Sequence, residues 1–166
     1  MVLSSRGAGF GWGGVLDDEI HKLVEMVTEL GIEVTATPAQ SDIETLGARL
    51  AAYNDADVGP ANRRPLAVLV RNRDGAIVAG ISGYTAWGWL YVQWLWIAED
   101  QRGKGLAGRM LGAAESEAKR RGCHGSYIDT FNPVALKVYL RAGYVAFGTL
   151  ADFPEGRTRT FLQKRV

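Results

Sequence analysis

Apolar side chains recur every three or four positions in LDDEIHKLVEMVTELG, where Ile20, Leu23, Val24, Val27 and Leu30 share one helical face and Gly31 supplies a stop. IEVTAT (32–37) alternates as a strand does. SDIETLGARLAAYN (41–54) returns to the helical period, with Ile43, Leu46, Leu50 and Tyr53 on one side and Ser41 and Glu44 at capping-box spacing. DADVGPANRRP reads as a polar loop. Then the period shortens. PLAVLVR (65–71) and IVAGISGYTA (77–86) read as strands joined through Asp74-Gly75, a hairpin signal. LYVQWLWI (90–97) is apolar on both faces, which predicts a central strand covered on both sides.

Residues 104–121 carry Leu106, Met110, Leu111, Ala114 and Ala118 at helical spacing, closed by a basic KRRG that suits a helix carboxyl end. SYIDTF (126–131) is a short strand. Pro133 opens a further helix, PVALKVYLRAG, which Gly143 stops. YVAFGTL and TRTFLQKR complete the pattern as two last strands. Hairpins first and a strand–helix–strand crossover afterwards predict an α/β (α+β) fold, a mixed twisted sheet flanked by helices.

Composition narrows the class. The chain has 166 residues, enough for one domain, and 47% of them are hydrophobic, enough for a core. We expect a flexible Gly-rich start over 1–15 and a single domain over 16–166. A formal net charge of +1 gives no bulk attraction to nucleic acid or to a membrane surface. The lone Cys123 has no internal partner for a disulfide, which fits a reducing compartment. The opening MVLSSRGAGFGWGG lacks the apolar core of a signal peptide, and the run near 89–98 is too short to span a bilayer. These features predict a cytoplasmic protein. His21 and His124 have no metal-ligand spacing, so no metal is expected. Ser126 has no evident base partner.

The segment EDQRGKGLAGRM (99–110) concentrates the chemistry. A P-loop requires Gly-Lys-Ser/Thr, and here Gly105 follows Lys104. A dinucleotide fingerprint fits literally: Gly103, Gly105 and Gly108 form GxGxxG, with Asp129 about 20 residues on. Its context is wrong, because five residues separate the preceding strand from the first glycine and three strands come before it. The third reading starts at Arg102. Arg102-Gly103-Lys104-Gly105-Leu106-Ala107 fits R-x-x-G-x-A, and Asn132, Ala135, Tyr139, Gly143 and Tyr144 fit N-x-x-A-x-x-x-Y-x-x-x-G-F/Y on the next helix.

Together these two blocks resemble the GNAT superfamily of N-acetyltransferases, over roughly 40–166 and most strongly over 90–147. WGWLYV, DTF and the ending GTLADFPEGRTRTFLQKR look like one bacterial subgroup of small acetyltransferases, in which an acidic residue stands at Gln93 and a His at Arg157. The resemblance implies the GNAT acyl-CoA N-acyltransferase fold. It implies acetyl-CoA as co-substrate and transfer of its acetyl group to a primary amine by direct attack in a ternary complex. Leu95, Trp96 and Ile97 are then expected to bond the pantetheine arm. The loop of Arg102, Gly103, Lys104, Gly105, Leu106 and Ala107 takes the pyrophosphate, because unpaired N–H groups at a helix start attract an anion and glycines allow close approach. Asn132 and Ala135 lie against the cofactor. Tyr139 supports the leaving thiolate, its alternative being an aromatic packed in the core.

The base is less defined by the residues. Gln93 occupies the cleft strand on the substrate side, but an amide takes no proton at neutral pH. Asp129, Glu99 or water remain, and Asp129 is the first choice. The expected partners are a small-molecule amine and, by analogy with the family, a second copy in a homodimer. Two other classes stay open: a GNAT-fold CoA-binding module without catalysis, and an NAD(P)-binding oxidoreductase resting on GxGxxG alone.

Overall fold

The computed structural model describes residues 31–166. The expectations for residues 1–30, including the helix at 16–30, lie outside the described residues. The chain divides into two units, 1–46 and 47–166. In the first, residues 31–35 have no regular structure, so the strand expected at 32–37 is not formed. Ile32 and Val34 stand 93% and 95% exposed. Alternation alone makes no strand where no neighbour takes up its N–H and C=O groups.

Helix α1 (Gln40–Val58) is longer than its sequence pattern indicated and absorbs part of the expected loop. It runs on to Gly59, whose φ of 81° ends it. The expected capping box is not made. Ile43 N–H already bonds the Ala39 carbonyl, which puts Ser41 inside the helix, and Glu44 accepts from the Gln40 side chain instead. Ile43, Leu46, Leu50 and Tyr53 fall on one side of this helix by their spacing, and all four are exposed.

The second unit holds one six-stranded sheet. Its strands are β1 (Arg64–Arg71), β2 (Ile77–Ala86), β3 (Trp89–Ile97), β4 (Gly125–Thr130), β5 (Val145–Ala151) and β6 (Thr158–Arg165), in the order β1-β2-β3-β4-β6-β5. Only β3 and β4 run parallel. The crossover between them is helix α2 (Leu106–Arg120), and α3 (Pro133–Arg141) follows β4. The core lies on one face of the sheet. Leu66, Ala79, Ile81, Leu90, Val92, Ile128 and Leu162 meet Met110, Leu111, Ala114 and Ala118 of α2 there.

One irregularity governs the centre of the sheet. Ser82 pairs with Trp94 but Gly83 pairs with Val92, so Gln93 is an extra residue, a β-bulge. Before it, Leu90 and Val92 point into the core; after it, Leu95 and Ile97 do. Gly83 permits the bulge, because a Cβ there would collide with the Tyr91 carbonyl. Trp94 and Trp96 consequently fall on the face away from the core, 67% and 54% exposed. This corrects the expectation that the strand is covered on both sides: no described element shields its outer face at these positions.

Candidate active site

β3 and β4 part company at the bulge. Their ladder joins Trp89–Val92 to Gly125–Ile128 and stops, while β3 continues to Ile97 and β4 to Thr130. β2 stays paired with β3 as far as Ile97. The result is a fork whose one wall is a half-paired strand. Ala98 N–H bonds the Val78 carbonyl, so by alternation Trp96 also turns its main chain to β2. Leu95 and Ile97 therefore turn theirs into the fork. The three residues divide their work: Leu95 and Ile97 present polar main chain, Trp96 an exposed indole.

The glycine loop begins where the strand ends. A short 3-10 turn at Glu99–Gln101 leads into it, and Glu99 is exposed there. Arg102 Nε donates to the Ile97 carbonyl at 3.2 Å, tying loop to fork. Gly103 and Gly105 adopt φ of 75° and 72°, left-handed values that favour glycine. A Cβ placed at Gly103, Gly105 or Gly108 would meet nothing within 4 Å, so the space over the loop is open. Gly105 caps α2 with no side-chain bond, which moves the helix start from the expected 104 to Leu106. The first bond into the helix is Arg109 N–H to the Gly105 carbonyl. Leu106, Ala107 and Gly108 thus lack intrahelical acceptors. Arg102 and Arg109 flank them, and Lys104 rests its amine on Gln101 at 3.1 Å. N–H groups, helix dipole and cations together form a cradle suited to an anion.

Helix α3 carries the second block. Asn132 is its N-cap, Oδ1 accepting from Val134 N–H at 2.8 Å and Ala135 N–H at 3.4 Å, with Pro133 in the first turn. Asn132 is exposed and its amide NH2 is left for other partners. Gly143, with φ of 90°, ends the helix: Tyr144 N–H bonds the Tyr139 carbonyl and Gly143 N–H that of Leu140. These two bonds form a Schellman motif, so Tyr-x-x-x-Gly-Tyr is a device that fastens Tyr139 to Tyr144. Tyr144 is in turn anchored in the core, its hydroxyl 2.9 Å from Ser126 Oγ. Beside it lies the Lys164–Glu115 pair at 2.6 Å.

Tyr139 is 5% exposed, and its hydroxyl makes no hydrogen bond to a described residue. Burial, with a smaller contribution from the Asp129 charge, pushes its pKa up to about 12. It is therefore a protonated phenol across the physiological range, a donor and not a base.

Asp129 is the first residue of β4 beyond the ladder, and it is occupied. Its Oδ2 accepts from Arg159 Nε at 2.5 Å, and its Oδ1 from the Tyr91 hydroxyl at 3.2 Å. Both carboxylate oxygens are thus engaged by neighbouring side chains. Gln93 is exposed at the bulge, at the mouth of the fork.

Arg159, Tyr91 and Lys164 are site neighbours that sequence reasoning missed, as is the Tyr144 hydroxyl as partner of Ser126. Each depends on strand register, and only the motif tyrosine Tyr144 could have pointed to one of them. A separate hollow of about 370 Å³ lies by Arg64, Thr85, Trp87 and Arg121, among groups that satisfy one another. Arg121 there holds Glu117 and the carbonyls of Arg64 and Pro65. Among the described residues no cluster of His, Cys, Asp or Glu suits a metal ion, and no helix is long and apolar enough to cross a membrane.

Known proteins resemble this chain in sequence and in fold. The profile of the acetyltransferase (GNAT) family matches residues 32–144. An acetyltransferase of Agrobacterium fabrum is 47% identical over 116 residues, which cover 70% of this chain and 85% of that protein. A blasticidin-S acetyltransferase of Streptomyces morookaense is 36% identical over 93 residues, 55% of this chain and 68% of the relative. A crystal structure of an acetyltransferase from Agrobacterium tumefaciens superposes with a TM-score of 0.79 at 39% identity, covering 82% of this chain and all of that one (100%).

Proposed function

This chain belongs to the acetyltransferase (GNAT) family, and on that premise we propose that it moves the acetyl group of acetyl-CoA onto a primary amine of a small molecule, by direct attack with both substrates bound. The observation that carries this reading is the continuity of fork and cradle. The unpaired edge of β3 leads through the Glu99–Gln101 turn into the glycine loop, and Arg102 joins the two.

Acetyl-CoA supplies an activated acyl group. The residues of this chain bind and orient it. Main-chain groups of Leu95 and Ile97 take the amides of the pantetheine arm as an added strand would. Leu106, Ala107, Gly108 and the cations around them hold the pyrophosphate. Asn132 offers its free amide, and Ala135 leaves room beside it. An N–H of the fork edge meets the negative charge that develops on the acetyl oxygen. The amine attacks the acetyl carbon, the carbon–sulfur bond breaks, and the sulfur receives a hydrogen bond from Tyr139.

The proton of the amine leaves through water at the mouth of the fork. Gln93 takes no proton, and Asp129, engaged by Arg159 and Tyr91, acts as a positioning group instead of the base first expected. A small acceptor is supported by the similarity to a blasticidin-S acetyltransferase. Calorimetric titration with acetyl-CoA, NADH and NADPH in parallel tests the cofactor. Binding of acetyl-CoA alone, followed by thiol release with an amine, is the expected result. Binding of a nicotinamide cofactor alone would overturn the reading.

A further inference from the structure

Arg159 is held in an unusual way for a residue with no assigned role. The core side of β4 is Ser126 and Ile128, and that of β6 is Thr160 and Leu162, all buried. Asp129 and Arg159 alternate to the opposite face, where the fork opens. Asp129 pairs across the ladder with Phe161, so Arg159 reaches it diagonally. The guanidinium is fixed on two sides. Nε holds Asp129 at 2.5 Å, and the rings of Phe153 and Phe161 lie 5.0 Å and 5.6 Å from its central carbon.

A guanidinium has five N–H groups, and Nε accounts for one. The four on the two Nη atoms have no hydrogen-bond partner among the described residues, and the side chain is 30% exposed. An arginine that only balanced Asp129 would gain most from a two-pronged pairing. This one uses a single prong and keeps part of its side chain exposed. Tyr91 completes the frame by fixing the second oxygen of Asp129. The arrangement is preorganised: one planar edge held still, with donors spaced for a planar oxyanion.

We propose that Arg159 is a specificity residue of the acceptor site, and that the amine acetylated here also carries a carboxylate, which docks on the Nη edge of Arg159. This rests on the acetyl-transfer reading above. The acceptor class is then amino-acid-like: an amine at the fork and a carboxylate at β6, the amine remaining the nucleophile. The aromatic side chains on this face, Tyr91 and Phe161 with Trp94 nearby on β3, give its carbon skeleton an apolar wall.

The test is thiol release at saturating acetyl-CoA with matched amines: α- and β-amino acids, their carboxamides, and the corresponding decarboxylated amines. The expected result is a carboxylate-bearing member with kcat/KM at least tenfold above its carboxamide. In Arg159→Gln the ratio falls to within threefold through a higher KM for the carboxylate. Arg159→Lys restores part of it. A preference for carboxamides or plain amines overturns the proposal, and so does a carboxylate preference that survives Arg159→Gln. Should Arg159→Gln not fold, seen as lost acetyl-CoA binding, the wild-type ratio decides alone. Bound acetyl-CoA with no turnover of any amine refutes the acetyl-transfer reading itself, and the proposal with it.

Discussion

Trp89–Val92 and Gln93–Ile97 are consecutive halves of one strand with opposite duties. The first half is bonded on both sides, to β2 and β4, and sends Leu90 and Val92 into the core at 0% and 1% exposure. The second half is bonded on one side only, and its free edge faces the fork. Composition does not separate them, since both are rich in tryptophan and aliphatic residues. What separates them is one inserted residue, Gln93, and the loss of a neighbour. A sheet edge is normally a liability that proteins cover or charge. Here an interior edge is left open beside an anion cradle, where a ligand with amides and a pyrophosphate would cover it.

Breaking the open half at its cradle has the largest expected effect. Gly105→Glu places a carboxylate where phosphate oxygens are expected and forces a φ of 72° on a residue with a side chain. We expect acetyl-CoA affinity to fall more than a hundredfold in calorimetry. A melting temperature near that of the parent would show that the closed half is intact. Retained affinity would remove the loop from the binding site.

The loop was legible in the sequence because its chemistry is local: Gly103, Gly105 and Arg102 follow one another, and the helix start behind them is set by its own hydrophobic period. The Asn132–Tyr144 pattern was legible for the same reason, as a cap, a helix and a Schellman stop read in order. The bulge was not. A run that is apolar on both faces conceals a change of parity, and only the register of Gly83 against Val92 reveals Gln93 as the extra residue. Arg159 was hidden because its partner lies 30 positions away, on a strand whose pairing no local pattern encodes. Residues 32–37 alternate correctly and still form no strand, pairing with no described residue.

Alkaline pH tests both halves at once. Tyr139 lies by the open half and Tyr127 stacks on Tyr91 of the closed half, ring centroids 4.6 Å apart. Burial raises both phenols to about 12 from an ordinary 10.0. Each folded-state pKa is raised, so its contribution is complete below pH 10 and is lost as pH climbs toward 12. For the buried Tyr139 the loss approaches about 3 kcal/mol, from about 1.4 kcal/mol per unit. Urea midpoints are expected to stay flat from pH 8 to 9.5 and to drop steeply above 10. In Tyr139→Phe the drop is shallower. A flat profile to pH 12 would show that these phenols are not perturbed.

The joint between the halves can be stressed separately. Gly83→Ala puts a methyl group against the Tyr91 carbonyl, a backbone atom that can yield only by disturbing the bulge. The expected destabilisation is about 1–3 kcal/mol in urea unfolding, the range for overpacking. Activity per folded molecule should fall as well, because the bulge sets where Leu95 and Ile97 face. A stable variant with full turnover would mean that the fork does not depend on the bulge.

The smallest effect is the most specific. Tyr139→Phe removes one hydroxyl and leaves the ring, the Schellman bonds and the contact with Tyr144, whose ring centroid is 6.4 Å away. Since the hydroxyl bonds no described residue, folding should change little. Acetyl-CoA affinity should hold, because the cradle and the fork edge are untouched. The departing sulfur, however, loses its donor. A thiol pKa of about 8.5 lies below that of the phenol, so Tyr139 helps by a positioned hydrogen bond more than by full proton transfer. That interaction exists only as the carbon–sulfur bond breaks, so its loss falls on kcat and not on binding. A tenfold drop in kcat at constant acetyl-CoA affinity is the expected result. An unchanged kcat would return Tyr139 to the core as a packing residue, and the open half of β3 would then bind its ligand without help from α3.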